Sequence, residues 1–106
     1  MSYTVRFSPQ ALTQIDAIED YITRAGSPLT AIRYVDDIVS YCESLTTFPL
    51  RGTTRDDIMP GLRTTNYRHS VAIAFTVDDS TKIVSILGVF YGGQNFEAAL
   101  TDFADE

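Results

Sequence analysis

Two apolar runs in the second half of the chain predict a β-hairpin at the centre of a sheet. Residues 71–77 alternate large apolar side chains with the smaller Ala72, Ala74 and Thr76, which is the period-two pattern of a strand. Residues 83–91 are apolar at most positions, and this indicates a strand that is covered on both faces. The residues between the two runs, 78–81, have the composition of a turn.

Placing the loop at residues 78–81 also predicts a register. The expected pairs are Val77 with Lys82, Phe75 with Val84, Ile73 with Ile86 and Val71 with Gly88. One face then suits packing against helices, and it holds Val71, Ile73, Phe75, Val84, Ile86 and Phe90. The opposite face would carry Arg68 across from Tyr91, beside Leu87 and Val89. A slip of one residue would exchange the faces of one strand.

Two helices are predicted ahead of the hairpin. Ser8-Pro9 and Ser27-Pro28 each combine a capping serine with a proline that the first helical position tolerates. Apolar residues follow each start at spacings of three and four, and Gly26 suits the end of the first helix. The second helix has an apolar arc about half its circumference wide, with Tyr34 and Tyr41 beside it, and Phe48-Pro49 ends it.

A strand over residues 3–7, a third sheet strand at Leu62–Tyr67 and a helical turn at Asn95–Leu100 complete the predicted elements. The order β-α-α-β-β-β indicates an α+β fold, with an antiparallel helical hairpin on one face of a mainly antiparallel sheet. Residues 1–100 are expected to form one domain, with residues 101–106 as an acidic tail. Two helices cover only one sheet face, so the second face is expected to be partly bare and open to a partner.

Composition and charge narrow the function classes. The chain has 106 residues, is 44% hydrophobic, and contains no apolar run that resembles a transmembrane helix or a secretion signal. Its single cysteine, Cys42, excludes an internal disulfide and favours a packing role in the reducing cytoplasm. The net charge of −6 argues against a protein that binds nucleic acid on its own through phosphate contacts, although a local basic patch remains compatible.

Several motifs occur in an order that resembles one known family. They are Tyr3-x-Val5-x-Phe7-Ser8-Pro9-x-Ala11, Asp20-Tyr21-Ile22, Ala31-x-x-Tyr34, Pro49-x-x-Gly52, Arg55-x-Asp57-Ile58-x-Pro60-Gly61-Leu62-Arg63, Tyr67-Arg68 and residues 86–93. Together they resemble the ParE branch of the RelE/ParE toxin superfamily over about residues 3–96. The resemblance implies the toxin half of a bacterial toxin–antitoxin pair. It also implies a ParD-like antitoxin as partner in a multimeric complex, DNA gyrase as target, and no cofactor.

The RelE branch of the same superfamily cuts mRNA on the ribosome, and it remains an alternative. Such cleavage needs cations for the phosphate and proton-transfer groups near the ribose. The candidates here are Arg63, Arg68, His69 and Tyr91. The set is sparse, because the chain has one lysine, and a gyrase inhibitor without catalysis of its own is therefore preferred over an enzyme. His69, the only histidine, is expected to be structural or solvated, and no metal-ligand cluster is visible.

The expected surface for target or antitoxin combines residues from both halves of the chain. It consists of Tyr34, Tyr41, Arg63, Tyr67, Arg68, Leu87, Val89, Tyr91 and Gln94. The chain departs from the family pattern near its end, where Gln94 and Asn95 stand in place of the arginine and aspartate that members often carry. A toxin fold that has lost toxicity and only binds its antitoxin is therefore a third hypothesis.

Overall fold

The computed structural model describes residues 2–68 and 70–92. The helices are α1 (Pro9–Ala25) and α2 (Pro28–Glu43), the latter followed by a short 3-10 helix (Ser44–Thr46). The strands are β1 (Thr4–Phe7), β2 (Thr53–Thr54), β3 (Leu62–Tyr67), β4 (Val71–Asp78) and β5 (Ile83–Tyr91). This is the predicted α+β fold, with one additional short strand.

The five strands form one mixed sheet in the order β1-β5-β4-β3-β2. β1 runs parallel to β5, and the other neighbours are antiparallel. The predicted N-terminal strand, the third strand and the central hairpin are therefore confirmed. The sequence pattern missed β2, because its two threonines lie in a polar connector without apolar alternation.

Both helices begin and pack as their sequences predict. Ser8 Oγ accepts the Ala11 N–H at 3.0 Å, and Ser27 Oγ accepts the Thr30 N–H at 3.2 Å, so each serine caps its helix. The Gly26 N–H donates to the Ile22 carbonyl at 2.9 Å and ends α1. The helices lie against each other and against one sheet face, around a core of Ala11, Ile15, Ile18, Ile38, Cys42, Leu45, Val71, Ile73, Phe75, Val84, Ile86 and Val89.

The predicted register of the hairpin is wrong. β4 extends to Asp78, which pairs with Ile83, and Phe75 pairs with Ile86 instead of Val84. Beyond that point the register shifts again, because Ala74 pairs with Gly88 and leaves Leu87 as an extra residue in β5. This is a β-bulge, which reverses the alternation of side chains along the rest of the strand.

The bulge exchanges the faces predicted for the end of β5. Val89 is buried against the helices and Tyr91 packs on the same side, while Phe90 belongs to the opposite face. Val71, not Arg68, lies across from Tyr91. The prediction that Arg68 faces Tyr91 on a bare surface is therefore wrong.

The second sheet face is partly covered by the chain itself. Leu62, Ala74 and Phe90 form a small buried cluster there, and Ile58 and Met59 from the segment before β3 pack against it. Ala72 and Leu87 remain half-buried beside this cluster. The expected bare face is thus smaller than predicted, because the connector before β3 folds back over it. The predicted helical turn at 95–100 and the tail at 101–106 lie outside the described residues.

Candidate functional site

Five tyrosines come together on the helix side of the sheet and form what we call the tyrosine row. Its members are Tyr21, Tyr34, Tyr41, Tyr67 and Tyr91. Tyr34 and Tyr41 lie seven residues apart on α2, which places them on the same side of the helix. Tyr67 and Tyr91 end β3 and β5, at the same end of the sheet. Helix periodicity and strand length therefore bring together residues from four elements.

The rings contact one another in two groups. Tyr91 is central to the first, with ring centroids 5.6 Å from Tyr21 and 5.8 Å from Tyr34. In the second group Tyr41 and Tyr67 lie 5.2 Å apart. The rings are tilted or edge-on, the arrangement that aromatic quadrupoles favour. The row is half-buried except for Tyr21, which is 59% exposed.

A hydrogen bond holds the Tyr41 end of the row. The hydroxyls of Tyr41 and Thr65 lie 2.9 Å apart, and Thr65 is a buried residue of β3. The bond ties α2 to the sheet directly beneath the aromatic rings. The Tyr41 ring is therefore fixed in position before any partner arrives, which lowers the entropic cost of binding to it.

Arg68 lies at one side of the tyrosine row. Its backbone has φ of 51°, a left-handed conformation that costs a non-glycine residue about 1 kcal/mol or more. Its guanidinium stacks over the Tyr67 ring at 5.1 Å and approaches the Asp37 carboxylate at 3.8 Å. The Arg68 side chain is 64% exposed, so this ion pair is weak and leaves the cation accessible.

Arg51 lies at the other end of the tyrosine row. Its guanidinium is 5.2 Å from the Tyr41 ring centroid and 5.7 Å from that of Phe48. It also donates a hydrogen bond to Ser44 Oγ at 3.0 Å. The row thus offers aromatic surface between two arginines, which suits a partner segment with apolar and acidic side chains.

The surroundings of Tyr34 shift its pKa. Burial raises the pKa of Tyr34, and the neighbouring tyrosines Tyr91 and Tyr67 act in the same direction, while Ser70 and Arg68 oppose them. The Tyr34 hydroxyl therefore stays protonated at neutral pH and is no base. Among residues 2–68 and 70–92, no three His, Cys, Asp or Glu side chains are grouped so that they could hold a metal ion.

The remaining predicted site residues lie elsewhere. Arg63 donates from Nε to the Arg51 carbonyl at 3.2 Å and from Nη2 to the Leu50 carbonyl at 3.0 Å, at the far end of β3 from Arg68. Leu87 belongs to the opposite face, and Val89 is fully buried in the core. His69 and Gln94 lie outside the described residues.

Three residues of this site, Tyr21, Arg51 and Thr65, are not predicted from the sequence. Tyr21 was visible only as part of a family motif, and its place beside Tyr91 depends on how the helices pack. Arg51 and Thr65 gave no local signal, since one lies in an irregular connector and the other in a polar strand. Within the described part of the chain, no helix is both long enough and apolar enough to cross a membrane.

Solved structures of bacterial toxins have the same arrangement of elements. The chromosomal ParDE toxin–antitoxin system from P. aeruginosa matches with a TM-score of 0.73 and 25% identity, over 86% of this chain and 97% of that one. The toxin–antitoxin complex RelBE2 from Mycobacterium tuberculosis matches with a TM-score of 0.64 and 20% identity, over 86% and 99%. A mutant of the E. coli toxin RelE in the free state matches with a TM-score of 0.68 and 16% identity, over 97% of each chain.

These matches define the fold class, which is the ParE/RelE fold. No curated protein sequence matches the chain significantly. The family model for the ParE toxin of the type II toxin–antitoxin system parDE matches residues 5–96. The chain therefore belongs to the ParE toxin family.

Proposed function

We propose that this toxin inhibits DNA gyrase through protein–protein contact and is neutralised by a ParD-like antitoxin in the cytoplasm. The family match over residues 5–96 supports the toxin class, and the similarity to a ParDE system supports an antitoxin partner of the same kind. The geometry of the tyrosine row supports contact with a protein rather than catalysis on RNA.

The separation of Arg63 and Arg68 is the observation that favours a non-catalytic toxin. Arg63 and Arg68, the two arginines predicted for an RNA site, are five positions apart on β3 and its turn, or about 16 Å along an extended strand. Arg63 is moreover engaged with two backbone carbonyls, whereas Arg68 stacks on an aromatic ring. A phosphate in a cleavage transition state needs converging cations, and these two do not converge.

The runner-up is a ribosome-dependent mRNA endonuclease of RelE type. In its favour, Arg68 and Tyr91 both neighbour Tyr34, so a cation and two phenols share one surface. The third hypothesis, a non-toxic protein that binds only its antitoxin, follows from Gln94 and Asn95 in place of the usual arginine and aspartate.

Two assays with purified toxin separate the three functions. In the first, the toxin is added to gyrase and relaxed plasmid, and in the second to a translation reaction that contains ribosomes. The proposal expects loss of supercoiling and accumulation of gyrase-linked, broken DNA. Shortened mRNA in a ribosome-containing translation reaction, with supercoiling intact, would establish the endonuclease instead. If neither reaction changes while the product of the adjacent reading frame still binds, the non-toxic alternative is correct.

Arg68→Gln tests the site within the same assays. Removing this exposed cation should weaken gyrase inhibition by about tenfold, as loss of a well-placed contact arginine commonly does. Arg33→Gln is the matched control, because Arg33 is an exposed arginine on α2. Equal inhibition by both variants would remove Arg68 from the target contact.

A further inference from the structure

A second apolar surface lies beyond the Arg51 end of the tyrosine row. It is an open pocket of about 460 Å³ lined by Tyr3, Thr47, Phe48, Pro49, Leu50 and Arg51. Phe48 is 63% exposed and Leu50 is 66% exposed, so two adjacent large apolar residues face solvent. Exposed apolar residues that line one pocket, rather than being scattered singly, make it a candidate binding surface.

The walls of this pocket are held in place by hydrogen bonds from several elements. Arg63 binds the carbonyls of Leu50 and Arg51, which fixes the backbone on one side. On the other side the Tyr3 N–H donates to the Thr46 carbonyl at 2.9 Å. The Tyr3 hydroxyl donates to Asp79 Oδ1 at 2.6 Å. The pocket is therefore formed before a ligand binds, which favours affinity.

The charge around the pocket is opposite to that of the whole chain. Arg51 lines it, Arg63 lies behind its wall, and the Lys82 ammonium is 5.0 Å from the Tyr3 ring centroid. Asp79 is also at this edge and keeps its negative charge while it accepts the Tyr3 hydroxyl, so three basic residues stand against one acid. In a protein with net charge −6, three of the eight basic residues thus gather at one apolar pocket. This pattern complements an apolar side chain flanked by carboxylates.

We infer that the pocket is a docking site for the antitoxin, and that it takes one large apolar side chain with acidic residues on either side. The inference rests on the proposed antitoxin partner and names the chemistry of one of its segments. Arg51 belongs to both surfaces, since it stacks on Tyr41 and lines the pocket.

Peptide binding to the intact toxin tests this pocket without any gyrase assay. The probe is the acetylated, amidated peptide Glu-Asp-Phe-Asp-Glu, followed by shifts of the toxin's backbone amide resonances. We expect the largest shifts at residues 47–51 and saturable binding. The peptide with alanine in place of phenylalanine, and the peptide with lysine in place of the acids, should each bind at least about tenfold more weakly.

Variants of the toxin complete the test. Phe48→Ala and Arg51→Gln should each weaken binding of the acidic peptide by about five- to tenfold. The matched controls are Leu29→Ala, at a residue 57% exposed on α2, and Arg33→Gln, and both should bind as the unmodified toxin does. Thermal unfolding of each variant reports whether its fold is intact.

Several outcomes would overturn the inference. These are equal binding of acidic and basic peptides, shifts located away from residues 47–51, or no effect of Phe48→Ala in a folded variant. A toxin dimer that dissociates on Phe48→Ala would make a second copy the occupant, and tighter binding of an oligonucleotide than of the peptide would make it nucleic acid. Peptide binding is measured without gyrase and gyrase inhibition without peptide, so failure of the gyrase proposal and failure of the pocket are separately visible.

Discussion

The side-chain amide of Gln14 accepts a hydrogen bond from the backbone N–H of Val89 at 2.7 Å. This bond joins α1 to β5 directly after the bulge. Ser8 supports the same segment, because its N–H donates to the Ile86 carbonyl at 2.9 Å and its hydroxyl donates to the Leu87 carbonyl at 3.1 Å. The start of α1 therefore supplies partners for backbone groups around the bulge that the strand ladder leaves irregular.

Gln14→Ala should lower the free energy of unfolding by about 2 kcal/mol, because the Val89 N–H is left without its acceptor in a buried place. Urea denaturation measures this change. Gln10→Ala, on an exposed position of the same helix, is the control and should change stability by less than about 0.5 kcal/mol. Equal effects of the two substitutions would contradict the role assigned to Gln14.

Gly52 and Gly61 form a matched pair for a test of backbone geometry. Both have positive φ, 83° and 80°, but a Cβ at Gly52 would overlap the Thr64 carbonyl oxygen, whereas at Gly61 nothing lies within 4 Å. Gly61→Ala should therefore cost only the conformational strain, about 1 kcal/mol. Gly52→Ala should cost about 3 kcal/mol or more, because the β2–β3 backbone has to move. Similar denaturation midpoints for both variants would count against this account.

The hydroxyls of Tyr41 and Thr65 should contribute to the free energy of unfolding as a pair, so that substitutions at the two residues have non-additive effects. Tyr41→Phe removes one hydrogen-bond partner and should lower stability by about 1 kcal/mol, because the buried Thr65 hydroxyl loses its bond. Thr65→Val removes the other partner. The double variant should lose less than the sum of the single losses, and denaturation of all four proteins measures the difference. Additive losses would mean that the bond contributes nothing.

Cys42 should be unreactive in the folded protein. Burial raises the pKa of its thiol to about 12, so almost no thiolate, the reactive species, is present at pH 8.5. A disulfide reagent should label the native toxin at least about a hundredfold more slowly than the urea-unfolded toxin. Because the unfolded thiol ionises near pH 9, the stability it contributes should decline as the pH rises above 9 toward 12. Rapid labelling under native conditions would contradict the burial.

Asp78 should make the toxin sensitive to acid. The Ser80 hydroxyl and the backbone N–H groups of Thr81 and Ser80 hydrogen-bond its carboxylate and lower its pKa below the ordinary 3.8. A depressed pKa contributes stability that is present above pH 3.8 and is lost as the pH falls through the folded value.

Asp78→Asn should therefore flatten the decline in unfolding free energy between pH 5 and pH 2.5, measured by urea denaturation at each pH. Ser80→Ala should reproduce part of this flattening, because the Ser80 hydroxyl is the largest cause of the shift. Parallel curves for Asp78→Asn and the unmodified toxin would refute the assignment.

The elements of this fold could be predicted because their signals are local. Ser8, Gly26 and Ser27 mark helix boundaries by hydrogen bonds within a few residues. Alternation identifies β4, and a nearly continuous apolar run identifies β5. The further register shift at Leu87 could not be predicted, because partners at the start of α1 hold the bulge. Gln14 is 75 residues from Val89, so no pattern within the hairpin contains this information.

The candidate site could be predicted only in part for the same reason. Tyr34 and Tyr41 were visible as neighbours because helical spacing fixes their relation. Tyr67, Arg68 and Tyr91 were identified as individual residues, but the predicted register assigned two of them to the wrong side of the sheet. Residues such as Arg51, which lies in a connector, join the site through tertiary packing alone.

The parallel pairing of β1 with β5 determines when the sheet can be completed during synthesis. Thr4 pairs with Ile83 and Phe7 with Ile86. β1 is synthesised before β5, so it cannot pair until β5 has also been synthesised. Contacts between residues so far apart in the sequence form slowly, and the sheet cannot be complete before β5 has been synthesised. β1 is therefore without its partner strand for an interval after its own synthesis.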